Sequence, residues 1–325
     1  MIMYAQVIAG FVLLLGGAEV MVRGAVALAQ RLGISTLVIG MTVVAFGTSA
    51  PELVVSLNAG LSGAPGLAIG NVVGSNIANI LLILGISGLI APIACQAGSL
   101  VRDGLVLLGG SLLFAGLALS GRIGLTGGIV LLIAFFGFIA YSAGQEIASK
   151  RSARDAEIEE EVEDLAVPHN LLLSLVLLVV GFAGLLLGSE WLVDGGISIA
   201  RNFGVSEAVI GLTIIAFGTS LPELAASAVA TYRGHTDVAL GNVVGSNLFN
   251  LLGVVGTVAV VTPLDIPGRV LDLDLWIMLA ATLLLLPFML SAKKYLGRIE
   301  SGIFFLLYLA YIAALALGID RLPGI

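Results

Sequence analysis

Charged residues are scarce in this sequence, at 11% of the chain, while apolar residues make up 59% and the mean hydropathy is +1.14. A water-soluble domain carries roughly 25% charged residues, because its surface faces water. Here, runs of about 18 or more apolar residues, long enough to cross a bilayer as a helix, recur along the chain. The composition therefore excludes an ordinary water-soluble domain and predicts an integral membrane protein.

Cysteine and histidine are nearly absent. The chain has one cysteine, Cys95, and two histidines. A single cysteine excludes an intrachain disulfide and a cysteine-rich metal site. The sequence also contains no basic tract of the kind that binds nucleic acid, so the partners to expect are the lipid bilayer and small ions, with no obligate protein partner.

Ten apolar segments follow one another along the chain. Their approximate limits are residues 3–28, 36–61, 66–92, 103–120, 123–147, 170–193, 207–231, 237–262, 272–291 and 299–319. A long polar stretch separates the fifth segment from the sixth. The expected organisation is one integrated membrane domain, made of a first five-helix repeat (1–148), an acidic linker (149–168) and a second five-helix repeat (169–325).

The two halves repeat each other in sequence. A shift of 171 places residues 40–79 on residues 211–250 without a gap, and 22 of these 40 positions are identical. Because five spans is an odd number, the second half enters the membrane from the opposite side, as in the inverted repeats of many secondary transporters. The predicted fold is an all-α membrane protein of ten transmembrane helices in two inverted five-helix repeats, with broken helices 2, 3, 7 and 8 forming a central ion site.

Lysine and arginine are distributed unevenly over the predicted loops. Ten of the 14 fall in loops that follow odd-numbered spans, and four fall on the opposite side. Cytoplasmic loops carry the excess of Lys and Arg. Both termini are therefore predicted outside a cell membrane, and the linker 149–168 is predicted in the cytoplasm.

Two glutamates, Glu52 and Glu223, lie at repeat-related positions inside apolar spans. A carboxylate at that depth is costly and marks a functional site by default. Each follows a proline, which removes one backbone donor and leaves the carbonyl four residues earlier without its helical partner. The sequence predicts that spans two and seven break there and turn the carbonyls of Gly47 and Gly218 toward a bound cation.

More oxygen donors accompany each glutamate. Thr48 and Ser49 precede Glu52 by four and three residues, so their side chains share its face if the turn stays helical. The remaining donors follow the same spacing in span three and in the second half: Asn71, Ser75, Asn79, Thr219, Ser220, Asn242, Ser246 and Asn250. Neutral and charged oxygens suit Ca²⁺, Na⁺ or Mg²⁺ and do not suit Zn²⁺ or Cu²⁺.

Charge balance limits what this site can hold. Two carboxylates balance one Ca²⁺, or about two to three Na⁺ with the help of neutral oxygens, and a second load would leave uncompensated charge in a low dielectric. Mutually exclusive occupancy of one site is the physical basis of exchange.

The motif GxTxxAFGTSxPEL followed by GNVVGSNxxN occurs in each half. It resembles the α-repeats of the Ca²⁺/cation antiporter superfamily, and within it the chain looks like a prokaryotic Na⁺/Ca²⁺ exchanger. The resemblance implies Ca²⁺ binding by Glu52 and Glu223 with the backbone carbonyls of Thr48 and Thr219. It implies Na⁺ sites in each half: Ala45, Thr48, Ser49, Ser75 and Glu52, then Ala216, Thr219, Ser220, Ser246 and Glu223.

The expected activity is therefore secondary antiport of Na⁺ and Ca²⁺, which are transported ions, with no cofactor. Both Asn79 and Asn250 complete the candidate ligand set, where some relatives carry Asp at one or both positions. K⁺-dependent and H⁺-coupled Ca²⁺ exchange remain the alternatives. A cation channel could use the same ligands, whereas an intramembrane enzyme would need a catalytic partner for Ser49 or Ser220, and no histidine lies in the spans.

Overall fold

The structure, a computed structural model, describes residues 2–94, 99–153, 170–203, 216–290 and 295–317. Three features named above lie outside these residues: Cys95, the linker from residue 154 onward, and residues 207–215 of the predicted seventh span. The described chain is almost entirely helical, as the composition predicts.

The first half contains eight α-helices. They are α1 (Ile2–Leu32), α2 (Thr36–Ile39), α3 (Ala45–Thr48), α4 (Ala50–Leu61), α5 (Pro65–Ala78), α6 (Leu84–Ile90), α7 (Ser99–Ala118) and α8 (Leu125–Ala153). The described residues of the second half contain seven. They are α9 (Leu171–Asn202), α10 (Ala216–Gly218), α11 (Leu221–Tyr232), α12 (Thr236–Leu248), α13 (Val255–Val261), α14 (Leu275–Leu290) and α15 (Arg298–Leu317).

Short π-helical segments interrupt several of these spans. They are Gly40–Val44, Asn79–Ile83, Phe249–Val254 and Val270–Asp274. The second and third join α5 to α6 and α12 to α13, so each pair forms one apolar span of 26 residues. A π-helical turn inside an α-helix is uncommon and is frequent at functional sites.

Seven helices in the described part of the chain are long and apolar enough to cross a membrane, and the bent pair Thr36–Thr48 and Ala50–Leu61 makes an eighth. Two predicted spans are not in this count. One corresponds to α7, a helix of 20 residues. The other includes α11, and the residues preceding it lie outside the described ranges.

The spans differ in how deeply they are enclosed. In the spans Pro65–Ile90 and Thr236–Val261, 78% and 83% of the most apolar window is buried, compared with 11% in Arg298–Leu317. The α5–α6 and α12–α13 spans therefore form the centre of the bundle, while the last helix faces outward. Repeat-related helices occupy this centre together.

The long helices α1 and α9 pack with their backbones in contact. Gly10, Gly17 and Gly24 are spaced by seven along α1, and a Cβ added at any of them would lie 2.5–2.7 Å from a backbone nitrogen of α9. Gly181 and Gly188 of α9 are equally close to α1, at 2.4 Å. Small residues at such positions let helices approach closely in lipid, and the opposite order of the contacts makes the pair antiparallel.

Two short antiparallel ribbons tie the halves together. Strand β1 (Ile93–Ala94) pairs with β4 (Tyr295–Leu296), and β2 (Arg122–Ile123) pairs with β3 (Leu264–Asp265). Strands β1 and β2 flank α7, whose 20 residues span about 30 Å, so the ribbons lie at opposite ends of the bundle. Each ribbon joins one strand from each half.

The contact between α1 and α9 predicts a difference between two adjacent glycines. In Gly17→Ala, the new Cβ meets the backbone nitrogen of Leu185 at 2.5 Å, whereas at Gly16 nothing lies within 4 Å. Alanine is the better helix former by about 1 kcal/mol, so Gly16→Ala is expected to keep or raise stability while Gly17→Ala lowers it. Heating the purified proteins in detergent and measuring the monodisperse fraction tests this. Equal midpoints for the two variants would show that the glycines are not needed for packing.

Candidate ion-binding site

Spans two and seven are broken at equivalent serines. Helix α3 ends at Thr48 and α4 begins at Ala50, with Ser49 between them at φ −86° and ψ 9°, and the axis bends by 45°. In the second half Ser220 has nearly the same backbone angles, φ −88° and ψ 4°. Pro51 and Pro222 follow in the first turn of the next helix, where the missing N–H costs no hydrogen bond.

The two glutamates are completely enclosed. Glu52 is 0% exposed and Glu223 is 1% exposed, and each lies in the first turn of its helix, α4 or α11. Free backbone N–H groups at a helix N-terminus favour negative charge there. Both carboxyl groups therefore lie away from water inside the bundle.

Each half supplies a hydroxyl group to the carboxylate of the other half. The Ser49 hydroxyl donates to Oε1 of Glu223 at 2.8 Å, and the Ser220 hydroxyl lies 3.4 Å from Oε1 of Glu52. Ser75 approaches the same Glu52 oxygen at 3.5 Å. The spacing predicted that Ser49 and Glu52 share a helix face if the turn stays helical. The helix breaks at Ser49 instead, and its hydroxyl contacts the glutamate of the other half.

Asparagines of α5 and α12 support the glutamates from the side. The amide of Asn71 lies 3.4 Å from the backbone carbonyl of Glu52 and donates to Ser56 Oγ at 3.0 Å. Asn242 repeats both distances with Glu223 and Ser227. Sequence reasoning missed the two serines, although their identity in both repeats, four residues after each glutamate, was the signal that could have found them.

The remaining predicted side chains reach the same region in different ways. The amide of Asn79 donates to Oδ1 of Asn247 at 3.0 Å, so these groups join the two central spans. The Thr48 hydroxyl lies 3.1 Å from the carbonyl of Val44 and 3.1 Å from Oδ1 of Asn242. Of the remaining predicted residues, Ala45 begins α3, Thr219 lies between α10 and α11, and Ser246 lies in α12. Ala216 begins α10.

Several buried polar atoms around the carboxylates have no hydrogen-bond partner among the residues that the structure describes. They include Oε2 of both Glu52 and Glu223, the Ser246 hydroxyl, and both side-chain polar atoms of Asn250. A buried polar atom without a hydrogen bond is costly, and a buried charge is more so. Buried oxygens of this kind beside two carboxylates fit a cation, and the Asn250 amide, at 0% exposure, is among the groups with no hydrogen bond to a described residue.

The freed carbonyls behave differently from the sequence-based prediction. The carbonyl oxygen of Gly218 accepts a hydrogen bond from the Ser189 hydroxyl of α9 at 2.9 Å. A carbonyl has two lone pairs, so one remains for another partner. The break therefore connects the seventh span to α9. The residue at the repeat-related position of Ser189 is Ala18, which has no hydroxyl to do the same.

A cavity of about 620 Å³ reaches this centre from one end of the bundle. Its wall includes Ser75 and Ser220, both of which contact Glu52, and three glycines on one face of α5, Gly66, Gly70 and Gly74. A Cβ at Gly70 or Gly74 would meet nothing within 4 Å. The cavity thus reaches two hydroxyl groups that contact the Glu52 carboxylate.

The corresponding surface of α12 is covered. A Cβ at Gly241 would lie 2.5 Å from the carbonyl oxygen of Leu37, and one at Gly245 would lie 2.2 Å from that of Met41. These glycines are the repeat partners of Gly70 and Gly74. The same sequence motif therefore lines open space in one half and a closed helix contact in the other.

The sequence profile described as "Sodium/calcium exchanger protein" matches residues 2–144 and 173–317. The putative antiporter CaxA of Alkalimonas amylolytica is 39% identical over 313 residues, covering 94% of this chain and 96% of that protein. The sodium/calcium exchanger MaX1 of Methanosarcina acetivorans is 33% identical, again over 94% of this chain and 96% of that protein.

The chain is also similar in structure to a solved sodium-calcium exchanger. The sodium-calcium exchanger NCX_Mj, soaked with 2.5 mM Na⁺ and 0.1 mM Ca²⁺, superposes with a TM-score of 0.83 at 33% sequence identity. The match covers 97% of this chain and 99% of that one. The similarity thus extends over the whole bundle as well as the motifs.

The buried side-chain amide of Asn250 predicts an effect of adding charge. In Asn250→Asp, a third carboxyl group would enter the centre, where protons and cations compete for it, so cation flux should fall more steeply toward acidic pH than in the parent. Flux against pH, normalised to inserted protein, measures this. The same change at Asn58, which is exposed on α4, is the matched control. Superimposable profiles for the Asn250→Asp variant and the parent would remove Asn250 from the ion-sensing residues.

Proposed function

The chain belongs to the sodium/calcium exchanger protein family, and on that premise we propose that it is a secondary active antiporter exchanging Na⁺ for Ca²⁺ by alternating access at one shared site. Its relatives are exchangers and antiporters, so it is a multi-pass membrane transporter and not an enzyme. The choice of ions, the residues that bind them and the mechanism are the proposed part.

One observation carries the proposal: Glu52 and Glu223 are both buried, and each has one carboxylate oxygen with no hydrogen bond to any described residue. Two negative charges match a single Ca²⁺, which prefers six to eight oxygen ligands. The neutral oxygens of both halves would complete either a Ca²⁺ shell or separate Na⁺ shells. Because both loads need the same two carboxylates, one excludes the other, and transport of one ion must wait for release of the other.

The twelve candidate ligands divide by repeat. We assign Ca²⁺ to Glu52 and Glu223 with the carbonyls of Thr48 and Thr219, and Na⁺ to the sets around each glutamate. Ser49 belongs to the first half, but its hydroxyl donates to Glu223 of the second half. The Na⁺ sets of the two halves therefore share groups across the interface. Asn79 and Asn250 line the same centre as neutral ligands.

Alternating access is supported by the difference between the two halves. Gly70 and Gly74 face an open cavity, while Gly241 and Gly245 are packed against the backbone of the second span. If the two halves exchange these arrangements, the centre opens to the other side of the membrane. One motif can serve both states because glycine allows either contact with a helix backbone or open space.

The ten-helix inverted repeat is the architecture we propose for this exchange. The strand pairing supports it: a shift of 171 places β1 on β3, and the ribbons connect β1 with β4 and β2 with β3 at opposite ends of the bundle. This pattern is what two halves of opposite orientation produce. The domain limits 1–148, 149–168 and 169–325 follow from the same arrangement.

Removing one carboxylate tests the shared site. Glu52→Gln or Glu223→Gln keeps the shape of the side chain but leaves one negative charge to balance a divalent ion, so Ca²⁺ exchange should be lost in a correctly inserted protein. The measurement is ⁴⁵Ca²⁺ uptake into proteoliposomes driven by an outward Na⁺ gradient, with H⁺ and K⁺ gradients in parallel. Uptake driven by H⁺ alone, or requiring K⁺, would overturn the assignment of Na⁺.

Glu300→Gln is the matched control for these variants, since Glu300 lies in the first turn of α15 and outside the centre. It is expected to transport at the parental rate. Parental transport by either Glu52→Gln or Glu223→Gln would show that the ions bind elsewhere. A flux thousands of times faster than an antiporter turnover would indicate a channel.

The orientation is tested with the two ribbons. Asp265 of β3 and Tyr295 of β4 are both exposed, and they lie at opposite ends of the bundle. With both termini outside, a membrane-impermeant thiol reagent added to intact cells should label Asp265→Cys and spare Tyr295→Cys, in a Cys95→Ser background. Labelling in the opposite pattern would invert the topology and place the linker outside.

A further inference from the structure

The cavity that leads to the ion centre has an ion pair in its wall. Arg269 and Asp274 carry the charges among the described lining residues, and the Arg269 Nε lies 3.2 Å from Oδ2 of Asp274. The Tyr311 hydroxyl, from α15, donates to the other oxygen, Oδ1, at 3.1 Å. The Asp274 carboxylate therefore contacts both Arg269, five residues earlier in the chain, and Tyr311 of α15.

This pair lies on the route to the centre. The same cavity wall contains Ser75 and Ser220, whose hydroxyls approach the Glu52 carboxylate. The ion pair and the two serines line one cavity, so a cation in this cavity is exposed to both charges of the pair. The side chain of Asp274 is 12% exposed and that of Arg269 is 36% exposed, so both charges act on a partly hydrated space.

The second half is not alone in carrying such a pair. A shift of 171 places Asp274 on Asp103, which is 1% exposed and lies 2.8 Å from the Nε of Arg102. The arginines do not correspond, because the repeat partner of Arg269 is Gly98 and that of Arg102 is Leu273. In both halves the equivalent aspartate is thus paired with an arginine, but the two arginines occupy different positions of the repeat.

We propose, on the basis of the antiport function given above, that the Arg269–Asp274 pair sets the electrostatic potential of the entry cavity and so controls how readily cations reach the centre from this face. Asp274 attracts an incoming cation, and Arg269 offsets that charge. The cavity stays close to neutral while the centre behind it stays negative. Cations are then drawn to Glu52 and Glu223 without being held on the way.

Opposite substitutions should move the cavity potential in opposite directions. Arg269→Gln removes the positive charge of the pair, and Asp274→Asn removes its negative charge. One unit charge acting over several ångströms in a partly hydrated cavity changes local ion concentration on the order of three- to ten-fold, and added salt screens the effect. A purely structural role would instead make both substitutions damaging in the same direction.

The potential can be read without relying on transport. In a Cys95→Ser background, Ile312→Cys places a thiol on the cavity wall beside Tyr311. The ratio of its labelling rates with a cationic and an anionic methanethiosulfonate reagent reports the potential there. Arg269→Gln should raise this ratio about three- to ten-fold, Asp274→Asn should lower it by a similar factor, and Arg269→Lys should leave it near the parental value.

Flux from this face gives the second readout. The KM for Ca²⁺ applied at this face should fall in Arg269→Gln and rise in Asp274→Asn, with the KM at the opposite face unchanged. Arg122→Gln is the matched control, because the Arg122–Asp265 pair lies on the same end of the bundle, is more than half exposed and is not in the cavity wall. It should alter neither readout.

The outcomes separate the two proposals. If the parent exchanges Na⁺ for Ca²⁺ but both variants shift the labelling ratio in the same direction, or neither shifts it, the role of the pair is wrong and the antiport function stands. If the parent carries a different cation, the antiport assignment fails, while the opposite shifts are still expected for that cation because the pair acts on charge. A matching loss of stability in both variants, with an unchanged ratio, would show that the pair only anchors α14.

Discussion

The burial of two carboxylates against hydroxyl partners is the constraint on which the rest of the structure depends. Removing an ionised carboxylate from water costs on the order of several kcal/mol, even after the protein relaxes around it. Among the described residues, the side-chain partners of Glu52 and Glu223 are serine hydroxyls. Each glutamate uses only one of its two carboxylate oxygens in these contacts. In the function proposed above, bound cations would offset this cost, so folding of the site would be linked to binding of the transported ions.

That requirement explains why spans two and seven break where they do. In a continuous helix, the backbone N–H and C=O groups would hydrogen-bond to one another, and none would remain for the centre. The breaks at Ser49 and Ser220 instead place helix N-termini beside the carboxylates and direct each serine across the interface between the halves. Asn71 and Asn242 then hold the backbone of each glutamate in place. The site belongs to neither half alone, so both must be folded before it exists.

Glycine gives the bundle two kinds of freedom. Between α1 and α9 it brings backbones into contact along the whole pair, which makes these helices one packed unit. Along α5 and α12 the same residue type permits an open cavity on one side and a closed contact on the other. Glu19 of α1 forms ion pairs with Arg23 and Arg233, both at 2.7 Å. The repeat partners of these three residues are Glu190, Asp194 and Ser62, so neither equivalent position carries an arginine. The two faces of the protein are therefore chemically different despite the repeat.

The sequence alone determined the class, the repeat and the identity of the two glutamates, because hydropathy, internal similarity and the cost of a charge in an apolar span are local properties. It also placed the helix breaks within one or two residues through Pro51 and Pro222. Tertiary structure decided the pairing: that Ser49 serves Glu223, that Ser189 takes the carbonyl of Gly218, and that Asp274 meets Arg269 and Tyr311. These contacts join residues far apart in the chain, and spacing along a helix carries no information about which face of another helix it will meet.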